Sequence, residues 1–343
     1  MQLVAYGAQD IYLTGNPQIT FWKVVYRRCT NFAIESVEQT FMGNATPGSR
    51  ATATISRNGD LVSNCVLEVV AKVAAAGKKL PASGIHNLVE SVEVEIGGQK
   101  IDKHYAAWLQ IWNELSNAHF GPKDDDSSPV TSGYGKAVGS SDQVRNGVVT
   151  TLYCPLTFWF NRNPGLALPL IALQYHEVKF NFQFSAAGAL SATAGQAPTV
   201  NSIKMFVDYI YLDTDERRRF AQQSHEYLID QVQYTGAVAK TSAAGSSQSL
   251  RLDFNHPCKE LVWVLKETTR GGSGAGAPCD FKEQGGHGGS ALLQLNGHDR
   301  FAKRPMNYFT RVQTIQHHSN CPAGDRIGVY SFGLRPEDHQ PSG

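Results

Sequence analysis

The feature that most limits how this 343-residue chain can fold is that it resembles itself. Phe32-Ala33-Ile34-Glu35-Ser36-Val37-Glu38-Gln39-Thr40 matches Tyr227-Leu228-Ile229-Asp230-Gln231-Val232-Gln233-Tyr234-Thr235, 195 residues further on. At the same offset the apolar run Val66 to Val70 falls on Leu261 to Leu265. Ile96-Gly97-Gly98 resembles Leu295-Asn296-Gly297 at an offset of 199, and Phe160-Asn161-Arg162-Asn163-Pro164 resembles Phe332-Gly333-Leu334-Arg335-Pro336 at 172. The drop of 27 equals the length of the polar loop from Gly121 to Gly147, so one loop insertion accounts for it. Chance likeness among Val/Ile-rich strands is the competing reading. Four matches in one order with one insertion instead indicate two tandem copies of a single module.

The module is β-rich. Val178-Lys179-Phe180-Asn181-Phe182-Gln183-Phe184 alternates apolar and polar, the period of a strand with one buried face, and Val92 to Ile96 alternates likewise before the turn signal Gly97-Gly98. Val66 to Val70, Thr157 to Phe160, Ile203 to Leu212 and Leu261 to Leu265 are more continuously apolar, which suits strands covered on both faces. Two helices are expected. Asp102 would cap one whose stripe is Tyr105, Trp108, Leu109, Trp112 and Leu115. Asp213 to Phe220, acids first and bases after, would form the other between the modules. Long polar loops at Gly121 to Gly147, Ala186 to Ala197, Ala237 to Ser249 and Gly271 to Gly276 fit a β-sandwich that carries function on its surface.

The repeat also exposes a deficit. The first module continues for about 52 residues after Phe160, the second for 11 after Phe332. Two or more strands lack a counterpart and would leave unpaired edges. The expectation is therefore a C-terminally incomplete second module.

Composition excludes several functions. Lys+Arg number 31 and Asp+Glu 30, so the chain lacks the strong basic excess that phosphate neutralisation needs, and no direct nucleic-acid partner is expected. No apolar run reaches membrane-span length, and Met1 to Ala5 does not open a secretory signal. The six cysteines form no C-x-x-C pair and read as reduced thiols. No nucleophile elbow or phosphate loop occurs, and Gly272 to Gly276 reads as a flexible loop. No H-x-H pair of the cupin kind is present, and His317-His318, if in a strand, would point to opposite faces. Asp124-Asp125-Asp126 lacks an EF-type spacing. No catalytic residue, cofactor or metal site is expected. Asn44-Ala45-Thr46 makes Asn44 a candidate glycosylation site, weakened by Pro47.

The segment Ala5-Tyr6-Gly7-Ala8-Gln9-Asp10-Ile11-Tyr12-Leu13-Thr14-Gly15-Asn16-Pro17-Gln18-Ile19-Thr20-Phe21-Trp22-Lys23-Val24-Val25-Tyr26-Arg27-Arg28 is long and distinctive. It resembles the start of the major capsid proteins of nucleocytoplasmic large DNA viruses, especially those of algae. The runs Asn161 to Leu173 and Tyr330 to Gly343 resemble the same family, so the likeness spans essentially the whole chain. It implies an all-β fold of two tandem eight-stranded jelly rolls. It further implies homotrimers in which six jelly rolls give a pseudo-hexagonal capsomer, and capsomers tiling an icosahedral shell over an inner membrane. Family members continue with further strands after the point matching Gln340-Pro341-Ser342-Gly343. Partners would be copies of this chain, neighbouring capsomers and minor capsid proteins. The location would be the virion, with assembly in the host cytoplasm.

The domain expectation is an arm at 1–29, jelly roll one at 30–212, a linker helix at 213–224 and an incomplete jelly roll two at 225–343. The arm would contact neighbouring capsomers through Tyr12, Pro17, Phe21 and Trp22. The alternative for that segment is a first strand of module one. A lectin-like jelly roll that uses its loops on glycans is the competing function. A cupin-like enzyme is disfavoured by the missing ligand pattern.

Overall fold

The computed structural model describes residues 7–19, 21, 29–72, 84–116, 137–138, 149–190, 197–239, 247–266, 278–279, 281–282, 284, 289–322 and 324–339. A single helical turn, α1 (Ile11–Thr14), comes first. Ten strands follow: β1 (Phe32–Gln39), β2 (Phe41–Met42), β3 (Arg50–Thr54), β4 (Leu61–Lys72), β5 (Val89–Ile96), β6 (Gln99–Tyr105), β7 (Val149–Pro155), β8 (Leu168–Pro169), β9 (Val178–Phe184) and β10 (Thr199–Leu212). They make two antiparallel sheets, one in the order β1-β10-β4-β7 with β8 beside β4, the other β2-β3-β9-β5-β6. Leaving aside the two-residue strands β2 and β8, this is the eight-stranded jelly roll, its first and last strands adjacent in one sheet.

The alternation in β9 sets the core. Phe180, Phe182 and Phe184 all point inward and are buried. Phe158 and Phe160 face them, with ring centroids 5.8 Å and 6.3 Å from Phe180. Leu67, Val69, Met205, Val207 and Tyr209 close the cluster from the opposite sheet. Tyr209 reaches through to donate its hydroxyl to Ser56 O at 2.6 Å, so its one polar atom is satisfied.

Thr157 to Phe160, expected as a strand, is a turn leading into a short helix, α3 (Trp159–Arg162). Its apolar content serves core packing, which a helical turn meets as well as a strand. Asp102 lies inside β6 and does not cap the following helix, α2 (Ala106–Ser116). Its carboxylate is used instead by the backbone N–H groups of Lys103 and Val232. Asp213 does cap its helix, α4 (Thr214–Gln222), accepting from the N–H of Thr214.

The second module carries β11 (Glu260–Lys266), β12 (Phe281–Lys282), β13 (Ser290–Ala291), β14 (Gln294–Leu295), β15 (His298–Asp299), β16 (Arg304–Pro305) and β17 (Ile327–Ser331). A helical stretch precedes β17, π-helical over Tyr308–Val312 and continuing as α5 (Gln313–His317). The repeat is visible in its turns. The β5–β6 hairpin has Gly97 and Gly98 at φ 60° and 84°, and the β14–β15 hairpin has Asn296 and Gly297 at 52° and 81°. Two successive left-handed residues make the tight two-residue hairpin turn, which is why Gly and Asn recur there. The β11–β17 ladder repeats β4–β7: Leu156 N donates to Cys65 O in one, Phe332 N to Lys259 O in the other. That pairing sets Leu156 against Phe332 and Cys65 against Lys259, so the sequence match of Phe160 with Phe332 is four residues out of register and that of Val66 with Leu261 is one residue out.

Tyr227 to Thr235, matched to β1, forms no ladder. In the first module β1 pairs only with β10, and among the described residues no strand follows β17 to play that part. The segment instead crosses the edge of β6, where Gln231 Nε2 donates to Ile101 O at 2.6 Å and Tyr234 packs 4.7 Å from the Tyr105 ring.

Candidate assembly surfaces

The candidate arm is solvent-exposed along nearly its whole described length. Tyr12 is 86% exposed and Phe21 91%, Pro17 is exposed, and Trp22 lies outside the described residues. Locally, Gly7 N donates to Asp10 Oδ2 at 2.6 Å and Thr14 Oγ1 to Asp10 O at 2.7 Å, enough to form the single turn of α1. The first described strand begins at Phe32, so the described part of this segment is not a first strand of the module. Large apolar side chains as exposed as these are what a contact with another molecule would bury. Asn44 is exposed on the turn joining β2 to β3, where Thr46 N donates to Asn44 O at 3.0 Å.

The modules meet at α2. Its sequence, Ala-Ala-Trp-Leu-Gln-Ile-Trp-Asn-Glu-Leu-Ser, is apolar almost all round, the mark of a helix covered on more than one side. Leu109 enters the core of its own module. Ala106, Ile111 and Leu115 face the other way and cluster with Cys279, Phe281, Ile327 and Val329, with Val262 and Val264 beside them. Cys279 N donates to Asn87 Oδ1 at 3.0 Å, and Asn320 Nδ2 to Glu114 O at 2.8 Å, so the seam is pinned at both ends. The expected stripe ran Tyr105, Trp108, Leu109, Trp112, Leu115. Ile111 lies outside that stripe because α2 is covered on two faces and not on one.

Beside the seam lies a chain of ionised groups. The Arg162 guanidinium stacks 4.4 Å from the Trp112 ring and lies 3.9 Å from Asp230, which also takes Lys259 Nζ at 2.9 Å. His104 is fully buried beside them, stacked 4.2 Å from Phe158 with Nε2 3.0 Å from Asp102 Oδ2; burial lowers its pKa against the pull of that carboxylate and favours the uncharged ring. His317-His318 is not a strand pair. His317 ends α5 and His318 follows it, buried between two carboxylates. Its Nδ1 is 2.8 Å from Glu337 Oε1, and its Nε2 is 2.9 Å from Glu260 Oε2 but off the N–H axis, an ionic contact more than a directed hydrogen bond. Burial alone would lower the His318 pKa; the two glutamates outweigh it and raise the pKa to about 9.

A raised pKa means that folding binds the proton. The stability from His318 is present in full below its ordinary pKa near 6.5 and is lost as pH rises through about 9. Denaturant midpoints taken from pH 7 to pH 10 should therefore fall more steeply for this chain than for His318→Gln, with a difference of up to ~3 kcal/mol closing across that range. Parallel pH curves would refute the assignment.

Among the described residues no group of three or more His, Cys, Asp or Glu side chains could hold a metal ion, and no helix is long and apolar enough to cross a membrane. An open, polar cleft lies between β6 and the 231–234 segment, lined by Lys103, Tyr105, Tyr234 and His256. The loops at 121–136 and 271–276, with Asp124 to Asp126, lie outside the described residues.

Comparison with known proteins accounts for both modules. Residues 20–213 match the family model for the major capsid protein N-terminus, and residues 216–343 that of the large eukaryotic DNA virus major capsid protein. The major capsid protein of Pyramimonas orientalis virus is 49% identical over 371 residues, covering all of this chain and 87% of the relative. That of Paramecium bursaria Chlorella virus 1 is 45% identical, covering all of this chain and 83% of its own length. Among solved structures, a quasi-atomic model of the PBCV-1 virus capsid superposes with a TM-score of 0.77 at 40% identity, over 94% of this chain and 83% of that one. The jelly-roll sheets, the repeated hairpin turns and these relatives agree: the chain belongs to the major capsid proteins of large eukaryotic DNA viruses.

Proposed function

We propose that the chain assembles as a homotrimer whose jelly rolls form a pseudo-hexagonal capsomer, and that capsomers tile an icosahedral shell. The observation that carries this reading is the seam itself: one module presents a helix and the next receives it, a head-to-tail relation that copies can extend. Heterologous contacts of this kind close into rings when the rotation per step divides the circle. The near-balance of 31 basic and 30 acidic residues allows many copies to pack with little mutual repulsion.

In this reading residues 1–29 are the arm, 30–212 and 225–343 the two jelly-roll units, and 213–224 the linker. Tyr12, Pro17, Phe21 and Trp22 anchor the arm on neighbouring capsomers. Asn44 is available for glycosylation if the chain meets that machinery. Minor capsid proteins and an inner membrane are further neighbours, the host cytoplasm is the place of assembly, and the role is structural rather than enzymatic. The lectin-like alternative has no relative to support it.

Solution mass tests the trimer, expected at about three times 37.5 kDa. Deleting residues 1–25 should leave the chain trimeric while abolishing or greatly reducing shell formation. Normal particles from the deletion variant would remove the arm's role, and a monomer at every concentration would remove the trimer.

A further inference from the structure

The seam between the modules is built over a buried histidine. His86 lies on a five-residue 3-10 turn, Gly84–Leu88, all of it buried. The turn packs under α2, and its Asn87 side chain accepts the backbone N–H of Cys279 from the second module. His86 Nδ1 is 2.7 Å from Gln110 Oε1, and Gln110 Nε2 donates to Glu114 Oε1 at 2.6 Å. The carbonyls of Glu114 and Leu115 in turn accept from Asn320 of the second module at 2.8 Å and 2.9 Å. One polar chain thus runs from the core of the first module, along α2, to the second.

That chain fixes the state of the ring. With the Gln110 amide nitrogen turned to the Glu114 carboxylate, its oxygen faces His86, so Nδ1 carries a proton. Burial outweighs this hydrogen bond and lowers the His86 pKa from 6.5 to about 4, so the ring is neutral at pH 7. A second proton would put a cation in a fully buried site beside an amide that has no charge to balance it. His104 differs, because the Asp102 carboxylate 3.0 Å away is a counterion for its charged form. Around His86, the Ala187–Leu190 turn brings only small and apolar side chains, and β7 brings the Cys154 thiol and the exposed Tyr153 phenol. From β5 come Glu90, which is exposed, Glu93, held by Lys100 and Lys103, and Glu95, which accepts from Asn181.

We infer that His86 is an acid-operated catch on the seam: a proton taken up there displaces α2 from the Gly84–Leu88 turn and frees the second module from the first. Because folding lowers the pKa, the open seam binds the proton more tightly than the closed one. The closed seam is most stable above pH 6.5 and loses stability as pH falls from there to about 4, a shift that by itself favours opening ~100-fold. Glu114 acts the other way, since burial raises its pKa and acid relieves a buried carboxylate. In a shell of such chains, acid would loosen each capsomer from within; that consequence rests on the capsomer reading, and the device itself does not.

Thiol labelling reads the seam directly. Cys279 is buried there, its thiol donating to Ala106 O, while Cys65 and Cys154 are buried in the core of the first module. The full chain is treated with a pyridyl disulfide, which reacts with thiols in acid, and labelled positions are mapped by peptide mass spectrometry. Cys279 labelling should rise at least tenfold from pH 7 to pH ~4, with Cys65 and Cys154 still protected. His86→Asn, which keeps an N–H for Gln110 and cannot take a charge, should abolish the rise. Glu114→Gln, which removes the opposing carboxylate, should make it larger. An Asn variant that opens like the parent overturns the proposal. So does labelling of Cys65 and Cys154 in step with Cys279, which would mean unfolding of the whole first module. If His86→Asn does not fold, Glu114→Gln decides: a rise no larger than the parent's overturns the catch.

Discussion

Phe180→Ala should cost ~3–5 kcal/mol, the usual range for emptying a large aromatic site from a packed core. The site is severe because Phe180 is fully buried and has Phe158, Phe160 and Phe182 around it. Those neighbours are fixed by both sheets and by α3, so the space cannot close without moving several elements. With typical domain stabilities of ~5–15 kcal/mol, such a loss takes much or all of the margin. Equilibrium urea unfolding followed by tryptophan fluorescence checks it. A shift of less than ~1 kcal/mol would mean that the aromatic cluster is not the organising core of the first module.

Leu115→Asp should have the other large effect, and at a different place. Leu115 is fully buried on α2 and faces Cys279, Phe281, Ile327 and Val329 of the second module. An unpaired carboxylate there is strongly disfavoured, and a charged group without a partner either stays protonated or expels itself. Expulsion would separate the helix face from β11 and β17. The expected result is the loss of a single cooperative thermal transition: either two transitions or no recoverable folded chain. Leu115→Ala, which removes bulk without adding charge, should cost ~2–5 kcal/mol and keep one transition. An Asp variant melting like the parent would show that the modules do not depend on this seam.

The first module was readable because its strands carry their pattern locally. Val178 to Phe184 alternates strictly, and the strand occupies those residues with every second side chain buried. Gly97-Gly98 and Asn296-Gly297 announce their turns because only residues tolerant of positive φ fit there. What failed depends on distant partners. Asp102 has the right type and position for a helix cap, but Val232, 130 residues away, claims its carboxylate. Tyr227 to Thr235 has the pattern of β1 without a ladder to join, and pattern alone does not make a strand. His318 gave no signal as a buried cation because its glutamates, Glu260 and Glu337, lie on separate segments.

The assembly surfaces were partly legible. The exposed aromatics of the arm could be named from the sequence, since an apolar-rich stretch without strand or helix periodicity has no core of its own to enter. The inter-module face could not. Ile111 and Leu115 face Cys279, Phe281, Ile327 and Val329, partners that lie far along the sequence and that only the folded chain brings to α2.

The most direct test of assembly is a cryo-EM map of particles formed by this chain, at a resolution that separates strands. Each capsomer should show three chains with six jelly-roll units around its axis. Capsomers built from any other number of copies, or shells in which this chain does not form the capsomers, would contradict the account.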